Sequence, residues 1–335
     1  MTVPPRAPRS LVWRIAARLP PQYLTLILFG VLLLILRLLY HQPIVRMVYP
    51  EPITRYQLSV RYALYLMAIF AGASLLRSSR QLLFGDWQAR RQGASQALQM
   101  VRDWLPFIFQ VWIYENLHDL THWIRPTTVD GPLARIDEWI FGVQPTLWLQ
   151  RWTYPLLTDY LDLAYMTYFI FVPLLAGWLY FSRRVPEFKE LQLSVLVAFY
   201  VGFLGYITVP AVGPQYILAD QYTVPLTGMV LHWRIHRVVH KMQSFPRDCF
   251  PSMHTGISTV ALYFFWRNRR TLPLRQVVLP IVAILTVSLW FSTVYLRYHW
   301  FIDVVAGWLV AAGACAAGVW VWRVWPTGRP DGQIS

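Results

Sequence analysis

The chain has 335 residues and is 56% hydrophobic and 16% aromatic, with only 14% charged residues, against roughly 25% charged in an ordinary soluble domain. That composition excludes an ordinary water-soluble enzyme and predicts an all-α, polytopic integral membrane bundle. The net charge of +14 lies in short loops between apolar runs, where basic residues hold loops inside and meet anionic headgroups; without a motif that reads nucleic acid, no nucleic acid partner is expected.

Apolar runs close to the ~20 residues that cross a ~30 Å hydrocarbon core predict about eight spans, near 23–40, 57–76, 104–119, 156–181, 191–210, 253–267, 276–296 and 300–322. The chain then divides into an N-terminal segment with two accessory spans (1–99), a catalytic membrane domain (100–325) and a tail (326–335). The basic N-terminus runs into a long apolar stretch without an evident cleavage site and reads as an uncleaved first span. The basic loops SRRVPEFK (182–189) and WRNRRTLPLR (266–275) predict that both termini are cytoplasmic. The loop 211–252 and the turn near 297 then face outward. Residues 131–152, GPLARIDEWIFGVQPTLWLQRW, mix charges with Trp, Ile and Leu and read as an interfacial anchoring helix. The two cysteines, Cys249 and Cys315, have no metal-ligand spacing and predict no disulfide.

Three groups of polar residues carry candidate chemistry. In HDLTH, His118 and His122 are four apart and share a helical face; no third protein ligand is evident, so they read as polar helix-end residues at the interface or substrate-facing hydrogen-bonding groups and not as a metal site. His232, His236 and His240, interleaved with Arg234, Arg237 and Lys241, read as the stripe of an amphipathic surface helix touching lipid phosphates. The third group joins FPSMH (250–254) to STVYLRYHWFIDVVAG (292–307). His299 and Asp303 are four apart, predicted to share one helical face, so that a carboxylate holds one ring nitrogen and leaves the other nucleophilic. His254 opens a span at the same predicted membrane face, and ionisable residues inside a membrane are functional by default. Ser252 is the expected helix cap.

FPSMH followed by YLRYHWFIDVVAG resembles the second and third signature motifs of the type-2 phosphatidic acid phosphatase superfamily, within it the inositol phosphorylceramide synthase-like branch. The resemblance covers roughly 100–325. Phosphatases of the superfamily carry Ser-Arg six residues before the third-motif histidine; Thr293 stands here, as in the transferase branch, and their first motif, Lys-x6-Arg-Pro, has no clean counterpart. The resemblance implies a six-helix core and transfer of a phospho-headgroup, inositol phosphate in that branch, from a phospholipid donor to a lipid alcohol acceptor, without metal or cofactor. It implies His299 as nucleophile, Asp303 as its orienting carboxylate and His254 as proton donor and acceptor. Ser252, Arg297, Arg247, Lys241, His118 and His122 are the candidates to bind substrate phosphate. Hydrolysis with water as acceptor and a non-catalytic lipid-binding or transport membrane protein are the alternatives.

Overall fold

The computed structural model describes residues 19–39, 84–242 and 247–325. The second predicted span (57–76) and the tail (326–335) lie outside these residues. All named elements are helices: α1 (Pro21–Leu39), α2 (Trp87–Ile124), α3 (Asp130–Phe141), α4 (Pro145–Leu149), α5 (Pro155–Met166), α6 (Tyr168–Phe181), α7 (Val185–Thr208), α8 (Pro214–Ile217), α9 (His232–Met242), α10 (Met253–Arg267), α11 (Arg275–Tyr295) and α12 (Phe301–Val324). Two short 3₁₀ turns follow α4 and α8. Among the described residues the strand-type pairing is an isolated parallel bridge between Ala211 and Asp248.

Helices α7, α11 and α12 are each long and apolar enough to cross a membrane, and α5 with α6 forms a fourth candidate bent by 40°. The predicted third span, 104–119, is part of the 38-residue α2, which continues through Pro106. Among the described residues α7 is the hub: it packs on α12, α10, α2 and α1, burying Leu191, Val195, Leu196, Ala198 and Phe203. A helix apolar nearly all round belongs in the middle of such a bundle. Phe29 of α1 stacks on Tyr200 with ring centroids 4.4 Å apart.

Charge separates the two ends of the bundle. Around the N-terminus of α7, Lys189 pairs with Asp103 at 2.7 Å and Glu190 with Arg267 at 2.7 Å. Because α7 and α10 run antiparallel, the C-terminus of α7 meets the N-terminus of α10 at the other end. The α11–α12 turn closes there too, and this end holds His254 and His299. The basic loops 182–189 and 266–275 sit at the end away from the histidines.

Candidate active site

Three local structures converge at this end. Ser252 caps α10: its Oγ accepts the Thr255 N–H at 3.3 Å, satisfying one of the donors that a helix start leaves free. His254 is the second residue of α10. Its ring lies 4.3 Å from both Tyr165 and Tyr168, the residues on either side of the α5–α6 break. Thr167 stabilises that break, its Oγ1 donating to the Ala164 carbonyl at 2.6 Å. The bend therefore turns two successive helical segments towards one imidazole. Tyr165 Oη lies 3.4 Å from His254 Nδ1.

His299 does not belong to the last helix, as its spacing from Asp303 suggested. α12 starts at Phe301 behind the cap residue Trp300, and His299 sits in the preceding turn, its N–H donating to the Thr293 carbonyl at 3.0 Å. Asp303, in the first turn of α12, reaches back: Oδ2 accepts the Trp300 N–H at 2.9 Å and lies 3.4 Å from His299 Nδ1. Asp303 thus caps its own helix and orients the histidine with one oxygen. Its Oδ1 has no hydrogen-bond partner among the described residues. The ring centroids of His254 and His299 are 5.7 Å apart, tilted by 58°. The Ser252 N–H donates to the Asp303 carbonyl at 3.0 Å, tying the two motifs together through the backbone.

Cys249 joins this cluster. Its Sγ donates to Asp303 Oδ2 at 2.9 Å and lies 3.5 Å from His299 Nδ1. Burial and the neighbouring Asp303 push the thiol well above its ordinary range, so it serves as a neutral donor. Cys249 Sγ, His299 Nδ1 and Asp303 Oδ2 lie within 4.8 Å of one another and form the set with metal-ligand spacing among the described residues. Sequence spacing could not have found that set, because the chain brings Cys249 in from another loop. Beside it, Tyr114 Oη donates to Asp248 Oδ2 at 2.5 Å.

The predicted anchoring helix α3 braces the site from behind. Asp130 accepts the N–H groups of Val212 and Gly213 and the indole N–H of Trp300, at 2.9–3.2 Å. Gly213 has φ +91°, and a Cβ there would lie 2.5 Å from the Tyr298 carbonyl, which accounts for glycine at this position. Asp137 accepts the N–H groups of Phe301 and Ile302 at 2.6 and 2.9 Å, where a helix start favours negative charge. Burial nevertheless lifts its carboxyl to about 6, against the lowering effect of those two N–H groups. Neither aspartate is a candidate site residue from the sequence, although ARIDEWIFG around Asp137 resembles a segment of the same family branch; the pattern D-x6-D places them two turns apart on one face, which is the signal available.

The remaining predicted residues are dispersed. Arg297 turns away from the histidines: its guanidinium lies 3.8 Å over the Tyr222 ring and Nη2 donates to the Val224 carbonyl at 2.5 Å. Burial lowers its affinity for a proton from the usual arginine range. Arg247 Nη1 donates to the Arg125 carbonyl at 2.8 Å. The side chains of His118, His122, His240 and Lys241 lie outside the described ones. His232 corrects the reading of its stripe as a lipid-facing surface. It is buried, with Nδ1 2.8 Å from the buried Asp162 Oδ2, whereas Trp233 and Arg234 are exposed.

The profile of the PAP2 superfamily matches residues 131–317. The chain belongs to the PAP2 superfamily. The matched region contains Asp137 and both histidine motifs, FPSMH and HWFID, and membership supports phosphatase-type chemistry on phosphate esters. No curated protein and no solved structure matches the chain.

Proposed function

We propose that this PAP2-superfamily protein is a membrane lipid phosphotransferase that moves a phospho-headgroup from a phospholipid to a lipid alcohol, as in the inositol phosphorylceramide synthase-like branch it resembles. The observation that carries the reading is the meeting of His254 and His299 at 5.7 Å with Asp303 behind His299. With Nδ1–H donated to Asp303, His299 keeps a lone pair on Nε2. In the first step that nitrogen bonds to phosphorus and the bond from phosphorus to the diacylglycerol oxygen breaks. Protonated His254 gives its proton to the leaving oxygen. In the second step neutral His254 takes the proton of the acceptor hydroxyl, the acceptor oxygen bonds to phosphorus, and the N–P bond breaks. A covalent relay of this kind splits one difficult displacement into two easier ones, and positioned proton transfer adds roughly 10²–10⁴-fold.

Thr293 in place of the phosphatases' Ser-Arg, together with the missing first motif, favours a transferred phosphodiester over a monoester. A diester brings less charge and needs a weaker cationic clamp. The test is to incubate the purified protein in bilayers with headgroup-labelled phosphatidylinositol and a panel of lipid alcohols. A labelled lipid product is expected. Release of label only as a water-soluble phosphate ester, in the presence of every acceptor, would make water the acceptor and refute transfer.

A further inference from the structure

Asp303 distributes its hydrogen bonds unevenly. Oδ2 accepts the Trp300 N–H and the Cys249 thiol, each at 2.9 Å, and lies 3.4 Å from His299 Nδ1. Oδ1 of the same carboxylate has no partner among the described residues, although Asp303 is 0% exposed. A buried carboxylate oxygen without a donor is costly, and a cation bound beside it would satisfy it. Cys249 and His299 are buried against the same carboxylate.

The chemistry of these three groups selects the cation. Thiolate and imidazole favour zinc and related transition metals, whereas Mg²⁺ and Ca²⁺ require about six or more oxygen ligands. The spacing agrees: Cys249 Sγ, His299 Nδ1 and Asp303 Oδ2 stand 2.9, 3.4 and 3.5 Å apart. One ion fits at the Zn–O, Zn–N and Zn–S bond lengths, roughly 2.0–2.3 Å, from all three, with a fourth position left open. One thiolate and one carboxylate cancel the two charges of the ion, so the occupied site is neutral, as burial favours.

Occupancy would change what His299 can do. In the proposed scheme its one N–H is at Nδ1, facing Asp303, and the Nε2 lone pair attacks phosphorus. An ion on Nδ1 requires a lone pair there, so the ring proton moves to Nε2 and the nucleophilic pair is lost. The Cys249 S–H proton passes to solvent, because a coordinating thiol is deprotonated. Withdrawal of the ion reverses both proton movements.

We infer that Cys249, His299 and Asp303 form an inhibitory zinc site, in which the ion holds His299 in the wrong tautomer for attack. The inhibition rests on the transferase reading above; the binding of the ion does not. An opening wide enough for a lipid phosphate admits the ion.

The experiment titrates zinc into the full chain in nanodiscs, first stripped of metal with a chelator. Binding is followed by calorimetry, and transfer from headgroup-labelled phospholipid is followed in parallel. One zinc per chain is expected, with transfer falling at least roughly 10²-fold at saturation, as a wrong histidine tautomer lowers rate, and recovering when chelator is added. Magnesium and calcium at the same concentrations should do neither. Co²⁺ in place of zinc should give a sulfur-to-metal charge-transfer absorption that Cys249→Ser lacks; this variant keeps a hydroxyl donor for Asp303. Cys249→Ser and His299→Ala should each bind zinc at least about 100-fold more weakly, since even the groups behind a metal ligand are worth roughly 10–100-fold in affinity. Zinc should also raise the thermal midpoint of the parent and not that of Cys249→Ser. Inhibition of Cys249→Ser, relative to its own metal-free rate, at the parental zinc concentration would place the ion on other side chains and overturn the assignment. Co²⁺ binding without the sulfur band, full occupancy with undiminished transfer, or transfer that rises with zinc would overturn it too. Absence of any transferred lipid product before zinc is added would instead refute the transferase reading, while calorimetry, the Co²⁺ spectrum and the thermal midpoint still decide the metal site.

Discussion

Gly307→Ala tests whether the two motifs act as one site. The glycine lies one helical turn beyond Asp303, where α12 crosses the start of α10. A Cβ at this position would lie 2.5 Å from the Ser252 carbonyl oxygen and 3.0 Å from Thr255 Cβ. Ordinary contact begins near 3.4 Å, so the helices must part locally by about 0.9 Å. The nearest clash is with backbone and cannot be relieved by a rotamer change. Overpacking of this kind destabilises by about 1–3 kcal/mol. Catalysis should suffer more, because the same opening pulls at the Ser252–Asp303 backbone bond and moves His254 away from His299 and Asp303. A displacement near 1 Å in a catalytic constellation lowers rate by roughly 10²-fold. Turnover of labelled phospholipid and the thermal midpoint, measured on the same preparation, should therefore show a folded protein with about 100-fold lower kcat. A folded Gly307→Ala variant with parental kcat would refute the claim that the α10–α12 contact sets the histidine geometry.

Three further outcomes follow from the site. Asp303→Asn should lower kcat by roughly 10²–10⁴-fold with a smaller change in KM, since an amide cannot hold the His299 tautomer in the same way; parental kcat would exclude an orienting role. For Asp137, the folded carboxyl titrates near 6, above its ordinary range. Its contribution to stability is therefore present below the ordinary carboxylate pKa and lost as pH rises through about 6. The thermal midpoint of the parent relative to Asp137→Asn should fall between pH 5 and pH 7, and a constant or rising difference would contradict the assignment. Dialysis against a chelator should leave turnover unchanged, because His299 Nδ1 is held by a carboxylate in the proposed scheme; loss of activity restored by a divalent ion would place a metal at Cys249, His299 and Asp303.

The helical class and the two histidine motifs were legible in the sequence because each depends on local pattern: long apolar runs, a Pro-Ser helix start, and a His and Asp in a polar turn beside a small-residue helix. The spacing of four predicts a shared helix face for His299 and Asp303, whereas the two residues face each other across a helix cap. The supporting shell was not legible. Cys249, Asp130 and Asp137 act on groups 54, 170 and up to 165 residues away, and such distant partners leave no mark in spacing. His232 failed for a related reason: a histidine stripe looks the same whether it faces headgroups or a buried aspartate on another helix. Arg297 stands two residues before His299 in the chain, but the left-handed turn at its own backbone carries its side chain away over Tyr222.

The most direct test of the central claim is to trap the covalent intermediate. Phospholipid labelled in the phosphate is mixed with the protein without acceptor, quenched in alkali, and the labelled peptide identified. An acid-labile, alkali-stable label is expected on His299, absent from His299→Ala and discharged from the parent protein when a lipid alcohol is added before the quench. A label on another residue, or undiminished transfer by His299→Ala, would contradict it.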